Sequence, residues 1–204
     1  MTQLAFSQRL SKLEIKQLPP YDGVGLDAIK IIYHESDIDD FAQRILNSTV
    51  VGFDTETKPN FQAGSKQNSV NIVQVASEHG ALILRVDDGN LSAVVRKLIG
   101  SEKVLKVGFG LHQDKKQLFR LFGEHLENSI DLSGAFSQFD IKQRVGAQAA
   151  VALVLGEHLR KSKKIQLSNW ANKELTKNQL LYAANDAYCA YDVYKKLLTI
   201  TNKI

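Results

Sequence analysis

The run VVGFDTE, residues 50–56, decides how the rest of the chain is read. It is β-branched and aromatic, carries no turn signal, and reads as a buried strand. Strand side chains alternate in direction, so Asp54 and Glu56 point the same way from an otherwise apolar element. Two adjacent carboxylates repel each other and lose hydration when buried. A divalent cation relieves both costs, and hard oxygen ligands suit magnesium or manganese. The pair also fits a strand end that reaches water, with Thr55 and Thr57 marking its edge.

The same grammar extends outward from this strand. Residues 58–69, KPNFQAGSKQNS, are polar and read as a loop. VNIVQVAS (70–77), the turn EHG and ALILRV (81–86) predict a hairpin, and KVLKVGF (103–109) and NSIDLS (128–133) predict two further strands. KIIYH (30–34) reads as a short strand, followed by a helix to about Leu46 with Ser36 as its cap and Asp39 in its first turn. Helices are expected at 91–100, ended by Gly100, and at 111–122, about 132–138, 146–155 and 178–199. Strands first, then interleaved and trailing helices, imply one α/β domain: a mixed sheet with helices on both faces. Pro19-Pro20 and YDGVG separate a polar N-terminal segment from that body.

Composition narrows the function classes. The chain has 204 residues, 44% hydrophobic and 24% charged, as a globular protein should. No apolar run approaches the roughly eighteen residues that span a bilayer, so no membrane partner is expected. The N-terminus lacks the apolar core of a signal peptide. A single cysteine, Cys189, excludes an internal disulfide and points to a reducing, cytoplasmic setting. The five histidines, His34, His79, His112, His125 and His158, are scattered and form no zinc or triad pattern. Net charge is +4, which permits a polyanionic partner.

Two further acids stand out. In LLYAANDAYCAYDVYKKLL (180–198), Tyr182 and Asp186 are four residues apart and share a helix face. Alanines 183, 184 and 187 around Asp186 allow another element to approach closely; a surface acid or one bonded within the helix packing fits as well. Tyr188, Tyr191 and Tyr194 read as packing residues. Asp114, in KVGFGLHQDKKQL (106–118), falls in the first turns of a helix, where the dipole alone favours an acid.

Together, Asp54-Thr55-Glu56, Asp114, and Tyr182 with Asp186 resemble the DEDD superfamily of 3′–5′ exonucleases. Tyr182 places the resemblance in the branch of ribonuclease D, the Werner-type exonuclease domain and the proofreading domain of DNA polymerase I. SNWANKELTKNQLLYAANDAY (168–188) is similar to the third block of that family, VGFDTETKP to the first and KVGFGLHQD to the second. The likeness covers roughly 29–198, leaving 1–28 as an N-terminal extension of a single catalytic domain over 1–204. Gly110 stands where many members carry asparagine, and Lys173 where several relatives have arginine. The helical accessory domain of ribonuclease D has no counterpart before Ile204, so a stand-alone catalytic domain is expected.

The resemblance implies a ribonuclease H-like fold, with a five-stranded mixed sheet flanked by helices. It implies a catalytic set of Asp54, Glu56, Asp114, Tyr182 and Asp186, and two divalent cations, Mg²⁺ or Mn²⁺, held by the four acids. Asp54 would bridge both ions, Glu56 and Asp186 would bind the first, and Asp114 would hold the second largely through water. Tyr182 would orient the attacking water, and Glu56 would receive the terminal 3′-hydroxyl. The product would be a nucleoside 5′-monophosphate cut from the 3′ end of DNA or RNA. Segment 158–177 holds six Lys/Arg and one Glu directly before the catalytic helix, so Lys161, Lys163 and Lys164 are expected to track a nucleic-acid backbone. A solvated loop and helix face is the alternative. Phe61 is the candidate for wedging a terminal base. Ser168 and Trp170 read as braces for the last helix. Two other classes remain open from the residues: a nucleic-acid-binding pseudonuclease, and a phosphatase of the haloacid-dehalogenase type with Asp54 as nucleophile. The second expects an aspartate where Glu56 stands and leaves Tyr182 and Asp186 unused.

Overall fold

The computed structural model describes residues 10–60, 68–139 and 141–201. Its strands are β1 (Ile29–Ile32), β2 (Val50–Thr57), β3 (Val70–Ser77), β4 (Gly80–Arg85), β5 (Leu105–Gly108) and β6 (Ser129–Asp131). They form one mixed sheet in the order β1-β4-β3-β2-β5-β6. β3 runs antiparallel to β2 and β4, and the other neighbours are parallel. The resemblance implied five strands and the structure has six, the additional one being the short strand read from KIIYH, here Ile29–Ile32. Ile29–Ile32 pairs in register with Ala81–Leu84 and covers the outer edge of β4. An apolar, fully buried strand such as β4 cannot present a bare edge to water.

The helices are α1 (Lys12–Gln17), α2 (Asp40–Leu46), α3 (Ser92–Ile99), α4 (His112–Phe122), α5 (Ala147–Leu155), α6 (Lys163–Gln166) and α7 (Lys177–Thr201). Three details differ from the sequence expectation. Asp39 is the N-cap of α2, its side chain accepting from the Ala42 N–H, and Ser36 lies in a separate 3₁₀ turn. Residues Leu132–Phe139 are 3₁₀ rather than α-helix. The short helices α1 and α6 were not anticipated.

Alternation along β2 sorts the two layers. Val51 and Phe53 pack with Leu91, Val95, Leu111 and Leu118 of the α3/α4 side. Gly52 faces α7, as do Ile72 and Ala76 of β3, which pack against Ala183, Ala184 and Ala187. A Cβ on Gly52 would lie 1.9 Å from the backbone oxygen of Ala187, so helix and strand touch main chain to main chain. That closeness explains the alanine run in α7: larger side chains would lift the helix off the sheet.

The N-terminal segment is fastened to α7. The Tyr21 hydroxyl donates to Asp192 at 2.6 Å. The Val24 N–H donates to Asn185 Oδ1 at 2.8 Å, and Asn185 Nδ2 donates back to the Val24 oxygen at 3.1 Å. Ile15 of α1 joins the cluster that holds Val151 of α5 and Leu197 of α7. Cys189 is buried in the same cluster. Among the described residues no helix is long and apolar enough to cross a membrane.

Candidate active site

The start of α7 is fixed before its acid is placed. The Gln179 N–H donates to Thr176 Oγ1 at 3.3 Å and the Thr176 N–H donates to Gln179 Oε1 at 3.0 Å, a reciprocal capping box. Gln179 Nε2 also donates to Ser168 Oγ at 2.9 Å. Trp170 is fully buried, its indole N–H bonds the Gln166 oxygen at 3.1 Å, and its ring lies 6.0 Å from that of Tyr182. Arg85 donates to the Trp170 and Asn172 oxygens at 3.1 and 2.9 Å. Ser168 and Trp170 are braces, as the sequence suggested. They set the helix so that Tyr182 and Asp186 are directed at the β2 acids.

Asp54 and Glu56 leave β2 on the face that α7 covers, since they share the direction of Gly52. Burial, followed by the charges of Asp114 and Asp186, raises the Asp54 carboxyl well above its usual range. Burial and the charges of Asp54 and Asp186 push Glu56 up to about 9. Asp186 is raised chiefly by burial, against the opposing pull of Lys161. The Asp186 charge thus bears on both Asp54 and Glu56 across the contact between α7 and β2.

Asp114 reaches the site from the other layer. Thr55 points away from its two acidic neighbours, and its hydroxyl donates to Asp114 Oδ1. One residue pair further along, Thr57 Oγ1 bonds Gln117 Oε1 at 3.0 Å. The two threonines thus pin α4 against the end of β2, and neither simply marks a strand edge. Burial raises Asp114 while the Thr55 bond lowers it. Gly110, at the turn into α4, has φ +74° and open space around it. The left-handed region suits glycine or asparagine, so a family asparagine at this position meets the same backbone demand.

Tyr182 is 8% exposed, and its hydroxyl is held protonated by burial and by the charge of Asp186. The basic run does not act as one surface. Lys161 turns inward, its ammonium 2.9 Å from Asp186 Oδ1. Lys163 lines a cavity of about 700 Å³ with Lys12 and the start of α5. Lys164 is exposed at the start of α6. Phe61 lies outside the described residues.

Three residues have roles that the sequence reading did not give. Thr55 sits between the acids and gives no sign that it faces the opposite layer. Gln74 is fully buried opposite Asp54 in the sheet register, and its amide has no partner among the described residues. Lys161 was visible as a charge, but its inward direction was not.

The donor set is entirely carboxylate oxygen, which fits a hard divalent cation. Among the described residues no three acids close around one point. Asp114 instead takes the Thr55 hydroxyl and Asp186 takes an ammonium. That ammonium shows that the cluster attracts and seats a positive charge.

A family model described as 3′–5′ exonuclease matches residues 29–202. The chain is 32% identical over 162 residues to the mouse bifunctional 3′–5′ exonuclease/ATP-dependent helicase WRN, covering 78% of this chain and 12% of that protein. Across the first curated relatives the chain spans between 12% and 54% of their length. Its fold is similar to that of the Aedes aegypti Nibbler EXO domain, with TM-score 0.72, 22% identity, and 88% and 91% of the two chains covered. It is also similar to Trypanosoma brucei RNase D in complex with RNA U12, with TM-score 0.71, 17% identity, and 94% and 65% covered.

Proposed function

Because the chain belongs to the 3′–5′ exonuclease family, we propose that it hydrolyses phosphodiester bonds from the 3′ end of DNA or RNA with divalent cations, releasing nucleoside 5′-monophosphates. One observation carries this reading: β2, α4 and α7 bring four carboxylates and the Tyr182 hydroxyl to one end of the sheet. Asp54, Glu56 and Asp186 would hold one magnesium or manganese ion, and Asp54 with Asp114 a second. Bound there, such ions lower the pKa of the attacking water and offset charge on the leaving oxygen.

The chain's own groups supply the rest. Tyr182 stays a neutral O–H and orients the water, held in place by the Trp170 ring. Thr55 keeps Asp114 at the edge of the cluster. Arg160 lines the cavity beside α7 and Lys163 the one beside α5, and both would meet backbone phosphates, with Lys164 on the exposed face next to them.

Incubating 3′- and 5′-labelled single strands with manganese, magnesium or chelator tests the reaction. A metal-dependent ladder from the 3′ end is expected. Binding without cleavage would make the chain a pseudonuclease, and release of inorganic phosphate alone would make it a phosphatase.

Tyr182→Phe separates water positioning from ion binding. The ring keeps its packing, so manganese affinity should match wild type while turnover falls about 10²-fold, the low end for a water-positioning group. Single-turnover cleavage beside calorimetric titration measures both, and unchanged turnover would remove Tyr182 from the catalytic set.

Replacing Arg160, Lys163 and Lys164 together by Ala should weaken strand binding across sequences. For a single strand, the log–log salt slope should fall by about 0.7 for every phosphate that is no longer neutralised. An unchanged slope would leave these side chains as a solvated face.

The raised Glu56 also fixes a pH trend for the ion-free protein. Between its ordinary value of 4.5 and about 9 the folded state keeps a proton that the unfolded chain has released. Stability therefore falls as pH rises through that window. Melting temperatures in chelator should drop from pH 5 to 9, and manganese should flatten the trend; a rise with pH would contradict the buried cluster.

A further inference from the structure

Lys161 is the nearest cation to the acid cluster, and its surroundings differ from those of a surface ion pair. Its ammonium lies 2.9 Å from Asp186 Oδ1 and 5.8 Å from the centroid of the Tyr182 ring. The Asp186 side chain is only 5% exposed, whereas the lysine side chain keeps 29% of its surface open. The charged end is therefore inside and the stem is at the rim. An ionised carboxylate so deeply placed is costly without a partner, and Lys161 is its only ion-pair partner among the described residues. The same charge also favours ionisation of Asp54 and Glu56, so one ammonium bears on three acids.

We propose that Lys161 is a built-in counter-cation, a positioning residue that holds Asp186 in the ion-free site and competes with the divalent cation for that carboxylate. This rests on the reading of Asp186 as an ion ligand. A divalent ion and an ammonium cannot both sit at the same oxygen, because two like charges at contact repel strongly in a part-buried site. The lysine must leave as the ion arrives. It has room to do so, since Lys161 lines the cavity of about 610 Å³ beside Tyr182 and Asp186 and the one of about 700 Å³ beside α5. A flexible four-carbon stem carrying a point charge suits such a swing better than a planar guanidinium would.

The test compares wild type with Lys161→Met and Lys161→Arg, using manganese binding followed by electron paramagnetic resonance at pH 8.5, where protons compete least. Lys161→Met keeps the stem and removes the charge, so its affinity should rise about tenfold, the size of one coupled charge pair. Lys161→Arg keeps the charge and should stay within about threefold of wild type. Equal affinity in Lys161→Met and wild type would overturn the proposal, as would weaker binding in a Lys161→Met protein that is folded by circular dichroism. Wild-type protein with ¹⁵N-labelled lysine gives a readout that needs no variant. One protected ammonium resonance should be present in chelator and should lose its protection when magnesium is added. A resonance indifferent to magnesium would overturn the proposal even if Lys161→Met failed to fold. Cleavage of a 3′-labelled strand by wild type is run in parallel. Ion binding without cleavage would defeat the exonuclease reading and leave the counter-cation standing.

Discussion

Asp54→Asn is expected to yield a folded protein with less than about 1% of wild-type manganese-dependent cleavage, a loss of at least the 10²-fold typical of removing one such group. The amide keeps the shape of the side chain and removes the charge that two neighbouring carboxylates oppose. Burial and the Asp114 and Asp186 carboxylates already disfavour ionisation at this position. Without ions, the mutant should therefore melt at or above the wild-type temperature. Manganese should raise the wild-type melting temperature and leave the mutant nearly unmoved, because an ion stabilises only the fold that binds it. Calorimetric melts with and without manganese, beside a labelled-strand assay, check both halves. Retention of a tenth of the activity would displace Asp54 from the centre of the site.

Gly52→Ala should be the most destabilising single methyl on the sheet. Its Cβ would sit 1.9 Å from the Ala187 oxygen and 2.8 Å from the Ala187 carbonyl carbon, all main chain and unable to turn aside. The helix must lift, which costs at least the upper part of the 1–3 kcal/mol usual for overpacking, about 3 kcal/mol. Ala187 follows Asp186 in the chain, so the same lift draws the acid and Tyr182 away from Asp54. Stability and turnover should fall together. Gly134→Ala is the control, because nothing lies within 4 Å of its added carbon. Denaturant midpoints that match for the two substitutions would mean that α7 does not ride on the glycine.

Parts of this arrangement were legible from residue spacing alone. Period two placed Asp54 and Glu56 together, period 3.6 placed Tyr182 over Asp186, and the VNIVQVAS–EHG–ALILRV pattern predicted the β3–β4 hairpin that the structure contains. Such features are local and depend only on backbone geometry. KIIYH announced the edge strand as well, but its bounds, Ile29–Ile32, and its parallel pairing with Ala81–Leu84 depended on distant chain. Thr55 was opaque for the same reason, because its partner lies 59 residues away on another layer. Lys161 was read as one of a basic run, for charge can be counted in a sequence and direction cannot. Helix α1 is a different case. Ser11 and Glu14 form a capping box that the S-x-x-E spacing announces, so that helix could have been found.

The packing of α7 on β2 has a consequence for the order in which the protein is made. β2 emerges from the ribosome with Asp54 and Glu56 about 120 residues before α7 begins, at a synthesis rate of roughly 5–20 residues per second. During those seconds the nascent chain carries two acids and, later, Asp114, but no Tyr182 or Asp186. The strap from Tyr21 and Val24 likewise waits for Asp192 and Asn185. A message broken before the codons for α7 would therefore give a product that lacks two of the five site residues. Because Tyr182 and Asp186 arrive only with α7, the proposed nuclease site cannot be complete while that helix is still being translated.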